Sequence, residues 1–312
     1  MLDVTRLRVL VAVARHGSVT AAARSLNYAQ PSVSHHLARL EAETGTQLTR
    51  RSGRGVRLTE AGWLLAERAE EILGRLEAAE TELAAQVGQR AQRVRLAAFP
   101  SALATIGAAA AARLRAEHPG TELLLTQAEP AEAVHMLRAG AADVALACRY
   151  LQGGEIVYEP GDTGDGVRCH LLLAEPVLLV TSAAGPAPGG AGPAGRPVPG
   201  RHPLAPLARS SWIAGCEDSR GYLDWVCEQA GFTPRVAVTT SDHVAAQALV
   251  AAGLGAAVLP ELALRAARHP GVHTEPLPGA SRQVLALTYG EPPEPPAVAA
   301  LLGVLRPAAP AG

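Results

Sequence analysis

The chain has 312 residues, no lysine, ten aromatic residues, and 55 glycines and prolines together. That length holds two or three folding units with cores of their own. Its cysteines, Cys148, Cys169, Cys216 and Cys227, form no CxxC pair and are too sparse for a disulfide framework; with no signal-like or membrane-length apolar run, a soluble, cytoplasmic protein is expected. The net charge of −1 conceals a division, because residues 1–62 carry nine arginines against Asp3, Glu41, Glu43 and Glu60, a net +5, while residues 63–93 sum to −2 and the remainder to −4. A basic head on an acidic body points to a polyanion partner for the head.

Leu7, Leu10, Val11 and Ala14 share one helix face, and Gly17 ends that helix. Ser18 caps a short helix from Val19 to Leu26, whose Ala22 and Ala23 permit close approach by another helix. Gln30 and Pro31 open a third helix with Val33, Leu37 and Leu40 as its buried stripe. Leu48, Val56 and Leu58 then read as strand positions around a turn from Ser52 to Gly55, a two-stranded wing. Thr59 caps a long helix reaching about Gly88 in which Leu65, Ala69, Ile72, Leu76, Ala79 and Leu83 recur at intervals of four and three. That spacing is a coiled-coil seam suited to pairing with another subunit.

From residue 93 strands alternate with helices, which predicts parallel sheets in an α/β body. Strands are expected at Val94 to Ala98, Glu122 to Gln127, Asp143 to Cys148, Val177 to Thr181, Trp212 to Ala214, Val236 to Thr239, Ala256 to Leu259 and residues 284–289. Helices are expected at Ala102 to Glu117, Ala131 to Ala139, Tyr222 to Ala230, His243 to Ala252 and Ala297 to Arg306. Between Ala183 and Pro203, 12 of 21 residues are glycine or proline, the composition of a surface loop.

Three short helices and a basic wing make a winged helix-turn-helix, whose last helix enters the DNA major groove. With its apolar stripe inward, Gln30, Ser32, Ser34, His35 and Arg39 occupy the outer part of helix three, where polar side chains can bond base edges or phosphates. Arg50, Arg51, Arg54 and Arg57 suit a phosphate-gripping wing; any one of them alone reads better as a solvated surface residue, and it is the fold pattern together with the local charge that points to DNA.

The stretch from Gly17 to Arg51, with the RGVRLTEAG segment from Arg54 to Gly62, resembles the LysR-type transcriptional regulators. Ala22, Ala23, Leu26, Gln30, Pro31, Ser34, Leu40, Glu41, Gly45, Leu48, Arg51, Leu58, Thr59 and Gly62 fall where that family's pattern puts them. The resemblance implies DNA contacts at Gln30, Pro31, Ser34 and His35, with Arg51 and Arg54 on the wing. It departs at Thr49, where phenylalanine is usual, and at His35, where arginine is frequent; neutral histidine lacks the fork that grips guanine. A weaker likeness continues through Leu137, Gly140 and Asp143 to Leu146, and through Leu249 to Pro260.

The resemblance implies a body like a periplasmic binding protein: two α/β lobes, residues 93–169 with 270–312 and residues 170–269, joined by two crossovers around an effector cleft. It further implies a head at 1–62, a linker and dimerisation helix at 63–92, and a homodimer or homotetramer on nucleoid DNA that works with RNA polymerase. Helix starts bind anions, so Ser101, Thr240 and Ser241 are candidate effector ligands for an unidentified small molecule, with an anion as one option, although serine and threonine there are commonly plain caps. Arg149 and Tyr150, at a strand end near the crossover, could clamp an acidic effector or bond neighbouring carbonyls.

Cys227 and its following residues look like the peroxide-sensing branch of the family, yet the partner position aligns nearer Asp218 than Cys216; a redox switch stands beside the plainer reading of inert thiols. No GxSxG, HExxH, P-loop or paired-carboxylate motif points to an enzyme, and the GLGAA segment at Gly253 follows a helix where a dinucleotide loop follows a strand. No metal or other cofactor is expected. The competing reading is a constitutive architectural DNA-binding protein whose body only assembles subunits.

Overall fold

A computed structural model of the chain describes residues 2–52, 55–86, 92–159, 166–185, 202–215 and 217–306. Arg54, Cys216 and most of the glycine- and proline-rich stretch after Ala183 lie outside the described residues. The chain divides into two compact units, Met1–Arg90 with Arg138–Ala141, and Ala91–Leu137 with Ala142–Gly312.

The first unit opens with three helices, α1 (Val4–His16), α2 (Val19–Ser25) and α3 (Gln30–Thr44). The Asp3 carboxylate accepts from the Arg6 amide, the Ser18 hydroxyl from the Ala21 amide, and Gly17 ends α1 in the left-handed conformation at φ 66°. These caps satisfy amides and carbonyls that helix ends otherwise leave open. Strands β1 (Thr49–Ser52) and β2 (Gly55–Leu58) form the wing hairpin, Thr49 opposite Leu58 and Arg50 opposite Arg57. Thr59 caps the 27-residue helix α4 (Glu60–Gln86): its hydroxyl accepts from the Gly62 amide at 3.1 Å and donates to the Gln47 carbonyl at 2.7 Å. One core holds Leu7, Leu10, Val33, Leu37, Leu40, Leu48 and Leu58 together with Ala66, Ala69 and Leu73 of α4.

The coiled-coil seam expected on α4 therefore needs correction. Ala69 is fully buried in its own unit, and Leu65 is partly so, because the first half of α4 packs on α1. The remaining apolar positions Ile72, Leu76 and Leu83 are exposed, as are Trp63 and Leu64.

The second unit contains β3 (Gln92–Ala98), α5 (Pro100–Ala102), a π-helical stretch Leu103–Gly107, α6 (Ala108–Glu117), β4 (Thr121–Gln127), α7 (Pro130–Arg138), β5 (Val144–Gln152), β6 (Glu155–Tyr158) and β7 (Val167–Ser182). After a short 3₁₀ turn come β8 (Ser211–Ala214), α8 (Glu217–Gln229), β9 (Arg235–Thr239), α9 (His243–Ala251), β10 (Ala257–Pro260), α10 (Glu261–Ala266), β11 (Val272–Tyr289) and α11 (Pro296–Leu305). A seven-stranded curled sheet runs β10-β7-β11-β5-β3-β4, with β6 on β5; β8 and β9 pair parallel and reach the large sheet through the Trp212–Ala256 bridge. Two lobes result, one around β3, β4 and β5, the other around β8, β9 and β10.

The sheet is mixed and not parallel throughout. Strands β3, β4 and β5 run parallel, as β8 and β9 do, but β7, β10 and β11 pair antiparallel. The reason is that β7 and β11, of 16 and 18 residues, run through both lobes as the crossovers, each bending where Pro176 faces Ser281 across a register shift. Proline and glycine inside these strands, Pro176, Pro276 and Gly279, make each look in sequence like a shorter strand beside a loop. Gly255 has a local explanation: a Cβ there would lie 2.5 Å from the Ser211 carbonyl oxygen, so β8 closes on this turn only because the side chain is missing.

Candidate functional sites: the third helix and the interlobe cleft

On α3, Val33 and Leu40 are fully buried and Leu37 nearly so. Gln30, Pro31, Ser32, Ser34, His35 and Arg39 are all exposed, as the period of the helix demands. Ala29 supplies no side-chain cap, and the first turn of α3 carries no acidic residue, so nothing there repels a phosphate. Tyr28, which sequence reasoning passed over, stacks on His36 at 5.9 Å, and His36 meets the edge of His35 at 6.3 Å, so an aromatic row borders this surface.

The Glu41 carboxylate fixes how the wing leaves the helices. One of its oxygens accepts from the amides of Leu48 and Thr49 and from the Thr49 hydroxyl, each at 2.9 Å. Thr49 thus adds a side-chain hydrogen bond under the wing. On the hairpin, the exposed Arg50 and Arg57 sit directly opposite each other; like charges so placed destabilise a strand pair until an anion lies between them. The Arg51 backbone pairs with Val56.

The second site is a cleft in the body, enclosing about 630 Å³ with its open mouth included, and lined by residues of both lobes. Of the five expected effector ligands, Tyr150 and Ser241 line it. The other three do not. Ser101 is buried, its hydroxyl 3.3 Å from an Arg282 nitrogen; Arg149, one residue from Tyr150, takes the opposite side of β5 and donates to Gln283 at 2.8 Å; and Thr240 accepts from the Asp242 amide at 3.2 Å.

Arg282, Glu175, Tyr222 and His243 were not found from sequence, because each is placed by contacts between distant segments. The Arg282 guanidinium is buried and bonded to the Glu175 carboxylate at 2.8 and 2.6 Å, across 107 residues of chain. It also lies 4.9 Å from the centre of the Phe99 ring. The other Glu175 oxygen accepts from the Leu262 amide at 2.5 Å, capping α10. Tyr150 stacks on Tyr222 at 4.2 Å, and burial raises both phenols, Tyr222 to about 12, so both stay protonated. His243 is lowered to about 4, mainly by burial and further by Arg282, against the opposing pull of Asp242. Burial likewise pushes the Cys227 thiol up to about 12, with Asp224 adding to it, which leaves a poor nucleophile. Among the described residues no His, Cys, Asp and Glu cluster could hold a metal ion, and no helix is long and apolar enough to cross a membrane.

Residues 4–63 match the family described as "Bacterial regulatory helix-turn-helix protein, lysR family", and residues 88–310 match the "LysR substrate binding domain". The chain is 29% identical to the HTH-type transcriptional regulator CitR of Bacillus subtilis over 57% of this chain and 58% of that protein. It is 30% identical to the HTH-type transcriptional regulator TfdS of Cupriavidus pinatubonensis over 98% of each. Full-length CbnR complexed with its target DNA shares the fold, with a TM-score of 0.62, 22% identity, and 97% of this chain and 99% of that one covered. The chain therefore belongs to the LysR family of DNA-binding transcriptional regulators, with a helix-turn-helix head and a substrate-binding body.

Proposed function

We propose that this regulator acts in the cytoplasm as a homodimer or homotetramer on a promoter dyad, and that a small molecule held between the lobes of its body modulates binding. The observation that carries the reading is the exposed polar face of α3 beside the arginine hairpin. On the duplex, Gln30, Ser32, Ser34, His35 and Arg39 line the major groove, Pro31 fixes the helix start, and Arg51 and Arg54 hold phosphates. His35 gives a weaker guanine preference than arginine would, since a single imidazole makes one bond where a guanidinium makes two. The exposed Ile72, Leu76 and Leu83 of α4 supply an apolar face for a second copy.

The domain assignment follows the same reading: a head at 1–62, a linker helix at 63–92, and an effector-binding body beyond. The effector acts by preferring one angle between the lobes, a population shift between two states of the body, while RNA polymerase is the partner that reads the outcome. No catalytic step enters this reading, since Tyr150, Ser241 and Tyr222 offer grip and shape without an activated nucleophile.

Salt titration of promoter binding, followed by fluorescence anisotropy, tests the head. The double variant Arg51→Ala, Arg54→Ala is expected to weaken binding to every sequence and to flatten the plot of log affinity against log salt by about 2, since each phosphate contact contributes roughly 0.9 to the slope. An unchanged slope removes both arginines from the phosphate contacts.

A further inference from the structure

We infer that the cleft selects an uncharged, mainly apolar small molecule carrying one hydrogen-bond acceptor, gripped by the Tyr222 phenol, and that it rejects carboxylates. The inference rests on the cleft being the effector site, as proposed above. Tyr222 lines the cleft and is 1% exposed, yet its hydroxyl is buried without a hydrogen-bond partner among the described residues. A buried donor of this kind is an unmet demand that an acceptor on a ligand can satisfy.

At the starts of α7, α9 and α10 an anion finds no such vacancy, because the chain's own carboxylates stand at each, whereas the start of α5 carries none. At α9 the Asp242 carboxylate already accepts from the Val244 and Ala245 amides at 2.8 and 3.3 Å. At α10 Glu175 accepts from Leu262, and Glu261 stands in the first turn. Glu129 precedes α7 and Glu132 lies in its first turn. Arg282 is the one arginine among the described lining residues, and both of its bonds to Glu175 are already made. His243, held neutral, adds no positive charge at pH 7. An entering carboxylate would lose its water and meet Glu129 in the lining, with the charge of Asp242 between the lining residues Ser241 and His243 and no uncommitted cation in return. The walls Phe99, Pro130, Val177, Val258, Leu259 and Pro260 suit an apolar body instead.

The experiment titrates the full-length protein with matched probe pairs, benzamide with benzoate and salicylamide with salicylate, by ligand-observed NMR and thermal shift. The amides are expected to bind at least about tenfold more tightly than their acids. Tyr222→Phe, which keeps the ring and its stack on Tyr150, should weaken amide binding by about five- to tenfold, the worth of one hydrogen bond. Asp242→Asn, which keeps a cap but removes its charge, should narrow the gap by admitting the acids. Acids binding as tightly as amides, or Tyr222→Phe leaving amide affinity unchanged, overturns the inference and leaves the cleft as the effector site. Silence from both members of every pair overturns the cleft reading and this inference together.

Discussion

His243 shows how a single side chain at the cleft ties the body's stability to pH. Its folded value, about 4, lies below the ordinary histidine value of 6.5, chiefly because burial disfavours the charged ring. The unfolded chain thus takes up a proton at a higher pH than the folded one, so this contribution is complete above about pH 6.5 and drains away as the pH falls toward 4. Between pH 7 and pH 4.5, thermal melts should show the wild type losing more stability than His243→Gln, by on the order of 1–3 kcal/mol; parallel curves for the two proteins would refute the assignment. Nothing in the local sequence announces this behaviour, since the Arg282 charge that lowers the ring further comes from a strand distant in sequence. The head is different: Gln30, Ser34 and Arg39 were legible from spacing alone, because a helix of period 3.6 fixes which side chains face outward. Glu41 nevertheless held a surprise, since only the fold brings it to Thr49 and accounts for the threonine there.

Among the elements, α4 and the pair β7 and β11 mark where a one-dimensional pattern misleads. The spacing along α4 was legible, but the heptad reading merges two stripes: Ala66, Ala69 and Leu73 serve the head's own core, while Ile72, Leu76 and Leu83 face outward. A helix that packs on its own unit along one stripe and exposes a second is bifunctional, and the exposed stripe can be altered without opening the core. Ile72→Glu with Leu76→Glu should therefore leave the head's circular dichroism and melting intact while shifting the sedimentation coefficient toward monomer, and should weaken dyad binding well beyond half-site binding. An oligomer that survives the double substitution would place the subunit contact elsewhere. The crossover strands were half legible, because the apolar runs at Val177 to Thr181 and 284–289 stood out while the rest of each strand, interrupted by proline and glycine, carries its polar groups along a bend.

For the whole molecule, the division of charge was the most informative sequence feature, since it separates a DNA-facing head from a body that prefers something else. The structure adds that the hydrophobic clusters respect the same division: one holds α1 to α4, and the others hold the two lobes. Separate cores can melt separately, so calorimetry of the full chain should resolve two transitions whose ligands differ. Promoter duplex at 100 times its dissociation constant should add about 2.7 kcal/mol to the head's transition, and an amide probe at the same saturation should add that amount to the body's. Regulation demands one more thing of this pair. If the cleft ligand alters DNA affinity, linkage requires that DNA alter the ligand's affinity by the same factor, so the two stabilisations cannot simply add when both ligands are present. A sum that stays additive would mean the cleft binds its ligand without informing the head, and the protein would then grip its promoter as an architectural element whatever the cleft contains.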